Sequence, residues 1–422
     1  MINVLVKTPI LERYQAARRS NLTAMTTIEN VNSLENKRSG LKLTLLLVSS
    51  LTIMSVITIS PALPQMVKAF STIENAGFLV KLVLTVPALM IALISPVTGR
   101  LIDQYGRLKI LWISLLLYAV AGSAGFYLQN LYHILISRAL LGVAVGMSMT
   151  IVITLIADYF EGMERQKFVG IQIAFMSLGG IIFIGLGGIL ADHGWRFPFL
   201  IYLSSLLVLP LSMLYLYEPK RMEKSVNTGH QISAPGIIWM LFFNTMFMWI
   251  VFFLIPVQIP FHLKGIGIEK SSLIGAAIAT ATLFSAIASF NYSKIKGRFS
   301  FLSIFAFGYL MMAAGFACIS FAQTYLFVTI GMMFSGLGMG MMIPNTNMWV
   351  MRIVPPEIRG KEIGKLTTFW FLGQFLSPII IFPILKTLSL SSTFMLASVV
   401  LLLMSVSFLV FGFSKSGKLV TQ

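Results

Sequence analysis

Apolar and polar positions alternate along this chain in long blocks. Apolar runs with few charges recur at 42–62, 77–98, 107–127, 131–157, 167–190 and 197–217, then at 235–260, 270–290, 300–320, 325–349, 362–385 and 391–413. Each is long enough to cross a bilayer as a helix. In hydrocarbon every backbone N–H and C=O must find its partner inside the protein, so the pattern predicts an all-α, multi-pass membrane protein with twelve spans. Most connections are short, which makes sequential spans antiparallel. The longest internal connection, 218–234, carries Lys220, Arg221 and Lys224 and reads as a linker. The chain then divides into a polar N-terminal extension (1–41), a six-helix half (42–217), the linker (218–234), a second six-helix half (235–413) and a short tail (414–422). The extension is expected to be disordered or to lie on a surface. A short amphipathic helix near 5–17 and a true first residue at Met25, leaving residues 1–24 untranslated, are both open.

The two halves echo one another. At a constant offset of 194, Gly142 matches Gly336, Gly146 matches Gly340, Arg165 matches Arg359, Gly170 matches Gly364, Phe175 matches Phe369 and Gly179 matches Gly373. One such pair is chance; a shared offset through four spans points to an internal repeat.

Composition sharpens the class. The chain is 57% hydrophobic and 11% charged, with a mean hydropathy of +0.88. A net charge of +17 would ordinarily raise nucleic acid as a partner. Here the basic residues sit in short connections beside apolar spans, so the lipid bilayer is the partner and nucleic acid is not. Counting Lys and Arg by face places both termini and the linker on the cytoplasmic side. Short loops with so strong a bias suit a bacterial inner membrane. The single cysteine, Cys318, excludes a disulfide framework and a Cys-based metal site. Nucleotide-binding, zinc-hydrolase and serine-hydrolase motifs are absent, so the chain is expected to be no enzyme, to need no cofactor and to bind no metal.

The densest chemistry lies in Gly99-Arg100-Leu101-Ile102-Asp103-Gln104-Tyr105-Gly106-Arg107-Leu108-Lys109, between spans 2 and 3. It reads as a glycine-pinned loop in which Asp103 and Arg107 meet across a turn. The stretch resembles the signature loop of the major facilitator superfamily, G-x-L-a-D-r-x-G-r-k. Gln104 and Ile102 depart from the usual residues. The resemblance implies two six-helix halves related as a 6+6 repeat, with a substrate site between them. It also implies a conformational latch of Gly99, Asp103, Gly106, Arg107 and Asp158 that holds the outward-facing state against the start of span 11. Such a latch needs only about 1–3 kcal/mol to redistribute two states.

Arg138, Gly142 and Gly146 in span 4 form R-x-x-x-G-x-x-x-G, which resembles a second motif of the family. An intramembrane arginine is costly and must face a cavity or a partner. It serves either proton and substrate handling or a structural hydrogen-bond hub. Span 5 carries Gly179, Gly187 and Gly188, as antiporters of the superfamily do, although Phe183-Ile184 stands where those have Gly-Pro. With Gly194-Trp195-Arg196-Phe197-Pro198-Phe199 it is most similar to the drug/proton antiporter branch. That implies export of small organic molecules by alternating access, a proton gradient as driving force, and a monomer.

The fourteen acidic residues are all expected in loops or at span ends. Without a core carboxylate, coupling falls to Asp103, Asp158 or a histidine, His133 or His262, or the protein is an uncoupled facilitator. A neutral to positive cavity disfavours purely cationic drugs and leaves neutral or carboxylate-bearing cargo, siderophores and other metabolites included. A transporter-like receptor or scaffold is the rival from another class. Cavity candidates are Thr52, Ser55, Gln172, Asn244, Asn345, Asn347 and Gln374, with a helix break expected at Pro344. Kinks are expected at Pro87, Pro96, Pro256, Pro378 and Pro383.

Overall fold

A computed structural model describes residues 36–219 and 233–413. Among them are twelve helices long and apolar enough to cross a membrane. They are α1 (Asn36–Ala69), α2 (Ala76–Tyr105), α3 (Arg107–Tyr127), α4 (Leu131–Tyr159), α5 (Gly162–His193), α6 (Phe197–Tyr215), α7 (Ile237–Gly265), α8 (Ser271–Phe290), α9 (Phe301–Phe321), α10 (Tyr325–Ile353), α11 (Pro356–Thr387) and α12 (Leu390–Gly412). The region expected to hold the amphipathic helix, Met25, most of the linker and the tail at 414–422 lie outside the described residues.

The repeat predicted from the glycine offset is built into the packing. In the first half α2 packs on α4, and α3 on α4 and α6; in the second, α8 packs on α10, and α9 on α10 and α12. The matched glycines sit at corresponding contacts. A Cβ on Gly142 would lie 2.5 Å from the Pro87 carbonyl oxygen of α2, and one on Gly336 would overlap the Ala281 carbonyl oxygen of α8. Gly179 seats α5 on α1 against Ser50, and Gly373 seats α11 on α7 against Met246. Small residues let these backbones approach closely, which is how helices associate where lipid removes the hydrophobic drive.

Two expectations about helix breaks are corrected. The stretch from Gly99 to Tyr105 is the last two turns of α2, not a loop. Nothing in Leu101-Ile102-Asp103-Gln104-Tyr105 breaks a helix. The turn is Gly106 alone, whose φ of 87° is open to glycine and strained for other residues. Likewise α10 continues through Pro344. The break in α7 comes at Phe253, three residues before Pro256, where proline removes a donor from the helix ladder.

The halves meet through α2 with α11 and α5 with α8. The structure's contacts across this seam lie at the end opposite the basic connections.

Candidate functional site

At that opposite end the seam is closed by polar and aromatic contacts. Asp192, at the end of α5, accepts from the Ser271 backbone N–H at 2.6 Å and from that of Ser272 at 3.3 Å, capping the start of α8. Gln65 Nε2 donates to the Ala191 carbonyl at 2.9 Å and to Ser271 Oγ at 3.0 Å. Ser60 Oγ donates to the Pro256 carbonyl. Phe78 of α2 lies 4.5 Å from Phe382 of α11, ring to ring, and Lys81 Nζ sits 4.9 Å from the centre of the Phe261 ring. Gly188 makes this closure possible, since its Cβ would come within 2.7 Å of the Ser271 carbonyl oxygen. Of the other two span-5 glycines, Gly187 meets Thr58 and Gly179 meets Ser50, both on α1. At the basic end the same four helices part: Cβ atoms on Gly99, Gly170, Gly360 and Gly364 would meet nothing within 4 Å.

The charged stretch at the α2–α3 junction includes the expected Arg107–Asp158 pair and adds Glu218 to it. Arg107 Nε pairs with Asp158 at 2.7 Å, and its guanidinium lies 3.8 Å from Glu218. Glu218 also accepts from the backbone N–H groups of Arg107 and Leu108 at 2.8 and 2.9 Å. It thus caps α3, where a carboxylate also offsets the positive end of the helix dipole. Tyr159 and Tyr217 close the cluster, each bonding the other's neighbourhood through the Tyr159 hydroxyl and the Tyr217 backbone. Glu218 was not singled out from sequence because its partner is a helix start 111 residues earlier. Asp103 is exposed on the last turn of α2.

Arg138 is fully buried. It donates through Nε to the Val83 carbonyl of α2 at 3.0 Å and through Nη2 to the Ser55 carbonyl of α1. Its guanidinium lies 5.0 Å from the centre of the Tyr202 ring of α6. The Tyr202 hydroxyl reaches the same Ser55 carbonyl at 3.3 Å, and the Tyr118 hydroxyl of α3 reaches the Leu51 carbonyl at 2.9 Å. This geometry ties α1, α2, α4 and α6 together, while Arg138 Nη1 is buried without a hydrogen-bond partner among the described residues. The repeat-related position in α10 is Met332, also fully buried. His133 is exposed on the first turn of α4.

The expected cavity residues separate. Asn345 joins three elements, accepting from Tyr292 at 3.0 Å and donating to the Phe301 carbonyl at 2.9 Å. Gln172 bonds Ser49 at 2.8 Å, tying α5 to α1. Thr52 and Ser55 are buried on α1, and Asn347 is half-buried on α10. Asn244 accepts from Tyr309 at 2.7 Å, but its Nδ2 is buried without a partner. Gln374 Oε1 is likewise buried and unpartnered.

Gln374 belongs to a group on α7 and α11. Trp370, Gln374 and Ser377 follow at helical spacing on one side of α11. Trp249 of α7 stacks on Trp370 with ring centres 4.4 Å apart. Both indole N–H groups, Gln374 Oε1 and Ser377 Oγ are buried without hydrogen-bond partners among the described residues. Aromatic contact continues toward the basic end through Phe369 with Phe242, Phe243 and Trp239. The stacking of the two tryptophans needs the α7–α11 contact that Gly373 permits.

Glu362 lies in the first turn of the α-helix that begins at Arg359 within α11, at the span end, and is 3% exposed there, paired with Lys365 at 2.7 Å, while its second oxygen has no hydrogen-bond partner among the described residues. Its burial was not legible in the sequence. No group of three or more metal-ligating side chains occurs among the described residues.

A family profile described as Major Facilitator Superfamily matches residues 45–378 and 270–420. The chain belongs to this superfamily. Among its relatives, the bacillibactin exporter of Bacillus subtilis (strain 168) is 26% identical over 347 residues, covering 75% of this chain and 83% of the relative. The quinolone resistance protein NorA of Staphylococcus aureus (strain COL) is 27% identical over 305 residues, covering 69% and 77%. The fold is shared with an inward-facing bacterial homologue of the human lysosomal transporter Spinster at a TM-score of 0.73, with 18% identity and 92% of this chain covered, 98% of that one. It is shared with the inward-open xylose transporter XylE of E. coli at 0.72, with 16% identity and coverage of 90% and 99%. This superfamily member is a multi-pass membrane transporter with exporters among its relatives, not an enzyme.

Proposed function

We propose that this transporter exports small aromatic molecules, neutral or carboxylate-bearing, by alternating access in exchange for protons. It works as a monomer in a bacterial inner membrane with both termini cytoplasmic, so the closed end of the seam faces outward and the arrangement is inward-facing. The observation that carries the cargo class is the α7–α11 stripe: two stacked indoles with unspent N–H donors, beside Gln374 and Ser377. A buried donor without a partner costs about 1–3 kcal/mol, which a cargo acceptor recovers. Stacked rings favour a planar partner. No carboxylate joins this group to attract a cation. The names of the two relatives, a bacillibactin exporter and a quinolone resistance protein, support the export of small organic molecules. For the proton we assign Glu362, a buried carboxylate with one oxygen unspent on a helix of the seam.

The test is purified protein in liposomes with an internal pH dye. Planar aromatic acids and neutral aromatics are expected to move protons; lipophilic cations are not. Trp370→Phe should weaken cargo response, and Glu362→Gln should leave cargo movement without proton movement. Proton flux driven by lipophilic cations alone would overturn the cargo class, and unchanged flux in Glu362→Gln the coupling assignment.

A further inference from the structure

A second cavity lies away from the seam. It occupies about 450 Å³ at the basic end of the first half, between the start of α1 and the ends of α4 and α6. Its walls are aromatic, formed by Tyr159, Phe160, Tyr215 and Tyr217, and Lys37 and Arg38 line it from α1. Gly40 brings α1 down on Tyr215, since a Cβ there would overlap that ring. Lys42 Nζ stands 5.7 Å from the centre of the Phe160 ring. Two cations therefore line the cavity, and Lys42 stands behind one of its walls. One carboxylate answers them: Glu164 pairs with Arg38 at 2.7 Å and Lys42 at 3.2 Å. Lys37 has no acidic partner among the described residues.

We propose that this cavity seats the phosphate headgroup of an anionic phospholipid. Three observations select that chemistry. Among the described residues the lining is net positive and Lys37 has no acidic partner. The walls are tyrosine and phenylalanine, amphipathic or apolar surface suited to a glycerol backbone and the first methylenes. The site lies where three spans end, at headgroup depth, where basic pockets between helices hold acidic headgroups. The occupied cavity also bears on the cycle, because two of its walls carry the ion cluster. Tyr159 follows Asp158 and Tyr217 precedes Glu218, the two carboxylates that hold Arg107. Those tyrosine rings lie 4.6 Å apart, and a headgroup seated against the pair adds to its hold of the end of α6 on the end of α4.

The experiment uses delipidated full-length protein in detergent. Thermal unfolding midpoints are recorded against added short-chain phosphatidylglycerol, phosphatidylcholine or inorganic phosphate, and retained lipids are identified by native mass spectrometry. Phosphatidylglycerol should raise the midpoint at lower concentration than phosphatidylcholine and should be retained. Lys37→Ala should weaken that response about fivefold, the effect of one basic residue near an anionic surface, and Lys37→Glu further. Lys361→Ala, an exposed lysine at the basic end of the other half, should leave it unchanged. Equal response to both lipids overturns the proposal. So does a response reproduced by inorganic phosphate, which would make this a site for a free anion, or one weakened equally by Lys361→Ala, which would make it diffuse surface attraction.

Discussion

The cap that Asp192 places on α8 is the contact from which the conformational balance can be worked. The N-cap residue of α8, Lys270, makes no side-chain bond of its own. The start of the helix is capped instead from the other half, by an oxygen 2.6 Å from the Ser271 nitrogen. Such a cap is worth about 0.5–2 kcal/mol. It exists only while α5 and α8 meet at this end, so its loss destabilises one state and not the other. Asp192→Ala should then raise the ratio of open to closed at this end by about 2- to 30-fold. Asp192→Asn keeps one acceptor oxygen and should shift it less. In a Cys318→Ser background, spin labels at Glu74 and Glu269 would report this end and labels at Gln104 and Lys361 the basic end, by electron–electron distance measurement in nanodiscs. The expected result is reciprocal: longer distances at the first pair, shorter at the second. Distributions in Asp192→Ala that superimpose on the parent at both pairs would refute the reasoning. Lengthening at the first pair alone would mean that α8 has unravelled locally and that the halves have not rocked.

Other outcomes follow from the same contacts. Arg138→Ala removes donors from the Val83 and Ser55 carbonyls and should lower stability by about 2–4 kcal/mol, read as a fall in the unfolding midpoint; an unchanged midpoint with transport abolished would overturn the hub. Gly142→Ala and Gly336→Ala each drive a Cβ into a facing backbone and should cost about 1–3 kcal/mol, whereas Gly99→Ala and Gly364→Ala, with open space around them, should fold as the parent does in a detergent stability assay. Asp158→Asn should weaken the hold on Arg107 and slow transport with protein still in the membrane, and Glu218→Gln should act in the same direction by loosening the start of α3. Parental transport rates in Asp158→Asn would remove that cluster from the cycle.

The twelve spans and the repeat were legible because both are periodic. A bilayer imposes a length on each helix, and helix contacts impose glycine at fixed separations in both halves. The single-residue turn at Gly106 was not legible. A glycine at position 99 looks like a loop residue in sequence, and only the backbone tells the two apart: Gly99 is helical and Gly106 has a φ of 87°. Partners far apart along the chain were also hidden: Glu218 with the start of α3, Asp192 with the start of α8, Asn345 with Tyr292. The burial of Glu362 was hidden too, because its place in the first turn of a helix does not say what packs over it. The polar residues chosen for the cavity were chosen by type alone, and type does not say whether another helix already uses them.

That last distinction divides the labour between the halves. In the first, Arg138 Nε and Nη2 and the Tyr118 and Tyr202 hydroxyls donate to neighbouring backbone carbonyls, while Arg138 Nη1 and the Trp112 indole N–H stay without partners among the described residues. In the second, Met332 stands where the repeat would place the arginine, and nothing polar cross-links α10 from that position. There a larger group of unspent polar atoms gathers on α7 and α11, at the seam. A rigid half and a reading half predict opposite profiles for two substitutions. Trp370→Phe removes one N–H and keeps the ring, so it should change which cargo is moved while the unfolding midpoint stays close to that of the parent. Arg138→Ala should lower the midpoint and leave the order of preference among cargoes intact in the molecules that remain folded. Measured side by side, a Trp370→Phe protein that merely unfolds earlier would return that indole to packing. An Arg138→Ala protein with reordered preferences would move cargo recognition into the first half.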